Sequence, residues 1–326
     1  MFGYNSTEED ILPKSLTNSL EVVDGTLKFQ SVSAYDLFFE DHESYVVPDF
    51  KSLIENLDGN ALLSGPNKRT TEEAKQFLDD WEGSILLDIL DENGMMMIGE
   101  NLYYLDFNNG IVVVTDSPVL KDDILNGNYD DPSIKLFGFE DDVLDLVLTN
   151  AASTYDKSSI NARVLTYDPN APTISDGCSW NKCDNNGHAS QEIDGATPNG
   201  SLFKYRLEAK HVYQSAGIYF RLFSEAKHMR RPDGSILPFN SESTNMYIYY
   251  DYEYESRKNS IGFRSGNSYA YIFSDKLKPI YYEANRSLRK FTLDTQFFIE
   301  IGGDHGSALN GFTEWNFNLE NISKGY

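Results

Sequence analysis

The sequence predicts an α+β N-terminal domain, helices followed by a β-meander, and after it an all-β sandwich or jelly-roll-like C-terminal domain. Three observations carry that expectation. Apolar residues recur at helical spacing as far as Trp81, fall from Met95 into short runs broken by tight turns, and from Phe203 alternate with polar residues at the period of a half-buried strand. The chain of 326 residues exceeds one ordinary domain, and its 20 Phe and 21 Tyr supply bulk for two cores. No internal repeat is visible.

Residues 1–19 are polar and acidic and read as a tether. The acidic α+β domain is expected over 20–165. Val22, Val23, Leu27 and Phe29 around Asp24-Gly25 predict a hairpin, and Ser33 before Ala34-Tyr35-Asp36 predicts a capped helix. Pro48-Asp49 opens a second helix with Phe50, Leu53, Ile54 and Leu57 on its apolar face, closed by Gly59. Thr70-Thr71-Glu72-Glu73 opens a third, with Ala74, Phe77, Leu78 and Trp81 on one face. Residues 95–98, 102–105 and 111–114 then describe three strands. Polar residues 117–133 read as loop, and 141–148 as a short helix.

The β-sandwich domain is expected over 166–326. Residues 150–200 are rich in Asn, Asp, Ser, Gly and Pro and read as loop. Beyond them, Phe203, Tyr205, Leu207, Ala209 and His211 hold one parity of a strand, and Ile218, Phe220, Leu222, Ser224 and Ala226 one parity of the next, with Arg231-Pro232-Asp233-Gly234 ending the run. Residues 246–254, 261–273, 291–301 and 312–317 supply further strands. Turn chemistry between antiparallel strands favours a sandwich.

The formal net charge of -24 is unevenly placed: residues 1–163 hold 10 Lys and Arg against 32 Asp and Glu, a net -22, and the remainder 17 against 19, a net -2. A field of that sign repels phosphate backbones, so nucleic acid is excluded as a partner, and so is unaided adsorption to an anionic lipid surface. No run of 18 apolar residues is present to form a transmembrane helix. The acidity itself serves solubility, attraction of a basic partner or binding of divalent cations.

Few residues carry a chemical signal. Cys178 and Cys183 are the only cysteines and sit in one polar loop, 178–183, the pattern of a local disulfide formed in an oxidising compartment. A zinc site from Cys178, Cys183 and His188 is the sharper alternative, but the spacing and a fourth ligand are lacking. Asp304-His305 and Ser307 read as a turn rather than a triad, since triads are drawn from separate segments. His211 reads as a core imidazole with a hydrogen-bond partner, and His228 with Lys227, Arg230 and Arg231 as a solvated rim. No cofactor is expected and no metal ligand set is assigned; calcium in the loops around Asp122, Asp123, Asp130, Asp131, Glu140, Asp141 and Asp142 stays open, although no EF-hand spacing is present. The tyrosine strand is the most distinctive feature: Met246, Ile248, Tyr250, Tyr252 and Tyr254 suit a core face, which leaves Tyr247 and Tyr249 pointing outward as candidate binding residues.

Residues 86–104, Leu-Leu-Asp-Ile-Leu-Asp-Glu-Asn-Gly-Met-Met-Met-Ile-Gly-Glu-Asn-Leu-Tyr-Tyr, resemble the LLN-x-DG-x-x-x-IG-D-x-IY stretch of uncharacterised secreted proteins and lipoproteins of Bacteroidetes. Val23 to Phe29 looks like the opening strand of that family, and Val212 to Tyr219 with Lys227-His228 is similar to the start of its second domain; Asp88 to Asp91 and the Met run depart from the pattern. The resemblance implies export to the cell surface or the medium and transfers no active site. It also implies that Ser6-Thr7-Glu8-Glu9-Asp10 is the tether behind a lipidated cysteine, with Met1 in place of that cysteine.

The expected function is a non-catalytic cell-envelope or secreted protein that binds a protein or glycan partner, or builds a surface assembly, through its β domain. The alternative is a glycan-acting hydrolase using paired carboxylates.

Overall fold

The computed structural model describes residues 20–41, 45, 47–53, 77–78, 80–155, 186–196, 202–232, 240–241, 244–257, 264–274, 276–301 and 313–324. It is mostly β-sheet with few helices. The chain divides into two units, Met1–Phe139 with Val143–Leu165, and Glu140–Asp142 with Thr166–Tyr326.

In the first unit, Asp24 and Gly25 both take positive φ, 49° and 77°, which a two-residue type I′ hairpin turn requires. They join β1 (Leu20–Val23) to β2 (Thr26–Phe29). β3 (Met95–Ile98), β4 (Asn101–Asp106), β5 (Ile111–Thr115) and β6 (Lys135–Gly138) extend the sheet in chain order. Every pairing is antiparallel except β2 with β3, where Lys28 and Phe29 run parallel to Met97 and Ile98. The apolar runs of β3 and β5 are continuous because both faces are buried. One face packs Met95, Met97, Tyr104, Ile111 and Val113 with Ile124, Ile134 and Leu136.

Asp91 ties these parts together. Its Oδ1 accepts the backbone N–H groups of Asn93 and Met95 at 2.9 and 3.0 Å, and its Oδ2 accepts Thr26 Oγ1 at 2.6 Å and Lys121 Nζ at 3.1 Å. A carboxylate this buried is tolerable because all these donors converge on it.

Several expectations change here. The helix cap is Ser31, not Ser33: Ser31 Oγ accepts from Ala34 N at 3.1 Å, and the helix runs Val32–Phe38. Residues 117–133 are not all loop, since a 3-10 turn at Pro118–Leu120 leads into a helix at Lys121–Leu125. Burial of Ile124, with Leu120 and Leu125 packed beside it, overrides the polar composition. Strand β6 was not anticipated. Of the helix placed at 48–59, Ser52 instead bridges Asp91, and residues 54–59 lie outside the described residues. Most of the helix placed at 70–81 also lies outside them, though Phe77 and Trp81 are buried. The helix expected at 141–148 is present as Val143–Leu148.

The second unit holds β7 (Asn186–Ala196), β8 (Leu202–Ser215), β9 (Phe220–Pro232), β10 (Asn240–Ser241), β11 (Thr244–Ser256), β12 (Arg264–Ser274), β13 (Lys276–Leu277), β14 (Ile280–Ala284), β15 (Leu288–Ile301) and β16 (Thr313–Lys324). One antiparallel sheet runs β10-β9-β8-β7, with β13 and β14 also paired to β9; the other runs β12-β11-β15-β16. Tyr213, Phe220 and Leu222 of the first sheet share a core with Leu288, Phe291 and Leu293 of β15, so the two sheets face one another across an apolar layer. Burial of side chains of this size stabilises the layer by about 1.5–3 kcal/mol each.

Strand β7 runs through the stretch expected to be loop. Its Asn, Gly, Ser and Asp residues have little preference for extension, and pairing from Asn186 opposite Val212 to Ala196 opposite Leu202 imposes it. The cysteine segment 178–183 lies outside the described residues, as do Gly302 to Ser307. Strand β9 was expected to be half-buried and is instead buried on both faces: Phe220, Leu222, Ser224 and Ala226 on one, Arg221, Phe223 and Glu225 on the other. The second face is tolerated because its charged groups have partners. Arg221 lies 4.7 Å over the Phe223 ring and donates to Gln214, while Glu225 meets Lys210 at 3.1 Å and Lys278 at 4.0 Å. His228, read as part of a solvated rim, is fully buried within β9 opposite Leu207.

Candidate functional site

The pleat of β11 sorts its side chains as the sequence implies. Met246 and Ile248 are fully buried, and Tyr250, Tyr252 and Tyr254 follow them on the inner face. Tyr249 is 51% exposed, Tyr247 is half-buried, and Asp251 and Glu253 continue the outer face as exposed residues.

The inner tyrosines form an aromatic cluster. Tyr250 and Tyr252 lie 4.8 and 5.4 Å from the Tyr281 ring, Tyr252 stacks on Tyr254 at 6.0 Å, and Tyr254 meets Tyr282 edge-on at 5.1 Å. This rigid inner layer supports the strand whose other side carries Tyr247 and Tyr249.

Register defines what surrounds those two residues on the outer face. Tyr247 pairs with Tyr271 of β12 and Phe298 of β15, and Phe298 in turn with Asn316 of β16. One row on, Tyr249 pairs with Tyr269 and Gln296, and Gln296 with Asn318. The next row sets Asp251 between Asn267 and Asp294. Paired positions share a face, so four tyrosine positions stand as a block on neighbouring strands, flanked by amide and carboxylate positions. Thr292, Asp294 and Gln296 are exposed. At the opposite margin, Asn245 pairs with Glu300, and Glu300 with Glu314, so acidic residues bound the tyrosine block on two sides.

No protein-family model matches the chain, and no curated protein or solved structure does. The chemistry of the site therefore rests on its own residues.

Sequence reasoning brought out Tyr247 and Tyr249 but missed Tyr269, Tyr271, Gln296, Asn316 and Asn318, because pairing register is non-local. The signal that could have found the tyrosines is the alternation Ser268-Tyr269-Ala270-Tyr271, a strand pattern that sets two aromatic residues at the same parity.

A second polar group lies between the sheets. His211 Nδ1 is 2.7 Å from Ser224 Oγ, Tyr281 OH donates to the same oxygen at 2.6 Å, and His211 Nε2 is 2.7 Å from Thr295 Oγ1. This is the core imidazole the strand pattern implied. A serine beside a histidine suggests a nucleophile and its base, but the third partner is a threonine instead of a carboxylate, and His211 and Ser224 are sealed from solvent. Burial alone lowers the imidazole from its ordinary 6.5 to about 3, so it stays neutral.

Among the described residues, no group of three or more His, Cys, Asp or Glu is placed to hold a metal ion, and no helix is long and apolar enough to cross a membrane. Several of the acids serve the fold. Asp131 accepts from Ser133 N and Oγ at 2.8 and 2.7 Å, and Asp106 accepts from Asn108 and Asn109 N, each at 3.1 Å.

Proposed function

We propose that the chain is a non-catalytic secreted or cell-envelope protein whose second unit binds a neutral glycan on the outer face of the β12-β11-β15-β16 sheet. The observation that carries this reading is the register block in which Tyr247 and Tyr249 stand opposite Tyr271 and Tyr269. Tyrosine offers a flat apolar surface to the C–H faces of a sugar ring and a hydroxyl at its edge, at low cost in side-chain entropy. The neighbouring Gln296, Asn316 and Asn318 positions supply donors and acceptors for sugar hydroxyls.

Charge narrows the ligand. Exposed Asp251, Glu253 and Asp294, with the Glu300 and Glu314 positions on the opposite margin, disfavour anionic polysaccharides by like-charge repulsion. The same face admits neutral hexose and N-acetylhexosamine polymers. A sandwich of jelly-roll type following an α+β unit, and export to the cell surface or the medium, complete the reading, in line with the resemblance to exported Bacteroidetes proteins.

A glycan array that includes neutral and uronic-acid oligosaccharides tests it. The expected result is retention on neutral glycans that free ligand competes away. Binding confined to sulfated or uronic-acid glycans, or to none, counts against it.

A further inference from the structure

We propose that His211 is an acid-sensitive latch between the two sheets of the second unit: neutral, it ties Ser224 of one sheet to Thr295 of the other, and a proton on it places a charge in the sealed layer between them. The inference is independent of what the outer face binds.

A hydrogen-bond chain crosses from one sheet to the other. Tyr281 OH donates to Ser224 Oγ at 2.6 Å, and the same oxygen lies 2.7 Å from His211 Nδ1. On the far side of the ring His211 Nε2 is 2.7 Å from Thr295 Oγ1, so in either neutral tautomer one nitrogen donates and the other accepts. β8 contributes the imidazole, β9 the serine and β14 the tyrosine of one sheet, while β15 contributes the threonine of the other.

A second proton spoils this arrangement. Both ring nitrogens are then donors, so the Ser224 and Thr295 hydroxyls can only accept from the ring and must aim their own protons elsewhere, and the ring carries a full charge in the sealed layer. Among the described residues no counter-charge compensates. Among the described residues the ring is bonded to Ser224 and Thr295 and has the Phe297 ring at 5.6 Å, with Tyr281 one bond further; the titratable one among them is the tyrosine, which burial keeps protonated. A buried imidazolium without a carboxylate is expelled to water, and that requires the sheets to part.

The direction of the pH effect follows. The folded state holds the imidazole near 3 and the unfolded chain near its ordinary 6.5, so the stability conferred by neutral His211 is complete above pH 6.5 and is lost as pH falls toward 3. Each pH unit inside that window raises the unfolding equilibrium constant about tenfold through this one group.

Urea denaturation of the full chain at pH 7 and pH 5, with wild type and His211→Gln, reads the effect. Glutamine donates and accepts but does not titrate in this window. The wild-type unfolding constant is expected to rise about thirtyfold more than that of the variant between the two pH values; equal changes in the two proteins overturn the proposal. If His211→Gln does not fold, imidazole 15N shifts of the wild type decide. The latch requires the His211 signals to remain those of a neutral ring until they vanish together with the native spectrum. A His211 that titrates near pH 6.5 while the native spectrum persists overturns it.

Discussion

Gly266 of β12 lies beneath the ring of Tyr252 of β11: a Cβ added to the glycine would stand 2.8 Å from the tyrosine hydroxyl oxygen and 2.9 Å from two ring carbons. The two residues are direct cross-strand partners, and the ring occupies the space a side chain would need. This lets Tyr252 stack between Tyr254 and Tyr281.

Gly266→Ala is therefore expected to displace the ring and destabilise the second unit by about 1–3 kcal/mol, as overpacking does. The loss should shrink in a Tyr252→Ala background, because the clash is then gone. A double-mutant cycle by chemical denaturation measures the difference, and additive losses would mean that the ring is not the obstacle.

Asp142, counted with the second unit, accepts Ser287 N at 2.7 Å and Ser287 Oγ at 2.6 Å and pairs with Arg257 at 3.0 Å. Asp142→Ala leaves two buried donors without their acceptor and should cost about 3 kcal/mol, with Asp142→Asn costing less because it keeps one acceptor oxygen. Urea midpoints of the two variants check this order.

Asp91→Ala should destabilise the first unit by a similar amount, about 3 kcal/mol, since it strands the N–H groups of Asn93 and Met95 as well as Thr26 and Lys121. Amide exchange at Met95 should speed up in the variant; an unchanged rate would show that the carboxylate does not hold the start of β3.

The parts of this fold legible in the sequence are those that depend on near neighbours. Asp24-Gly25 announces a hairpin because both positions need positive φ, and the parity of residues 246–254 separates Ile248 from Tyr249 because the pleat has period two. What stayed illegible depends on partners far along the chain. Nothing local to Arg221 says that Phe223, Gln214 and the neighbouring Glu225 ion pairs will make its face a buried one. The polar segment that becomes β7 is extended by the strand it pairs with, and Ile124 turns an apparent loop into a helix by entering a core. For the candidate site the same division holds: the outward pair Tyr247 and Tyr249 could be read directly, whereas the amides and tyrosines beside them are set by the register of β12, β15 and β16.

Calorimetric titration of a neutral oligosaccharide retained on the array into wild type and into the Tyr247→Ala, Tyr249→Ala double variant tests the central claim most directly. Two stacking rings at about 1 kcal/mol each predict an affinity loss of about thirtyfold, with near-ultraviolet circular dichroism showing the inner tyrosine cluster undisturbed. A double variant that folds and binds as tightly as wild type would contradict the assignment of the outer face as the binding surface.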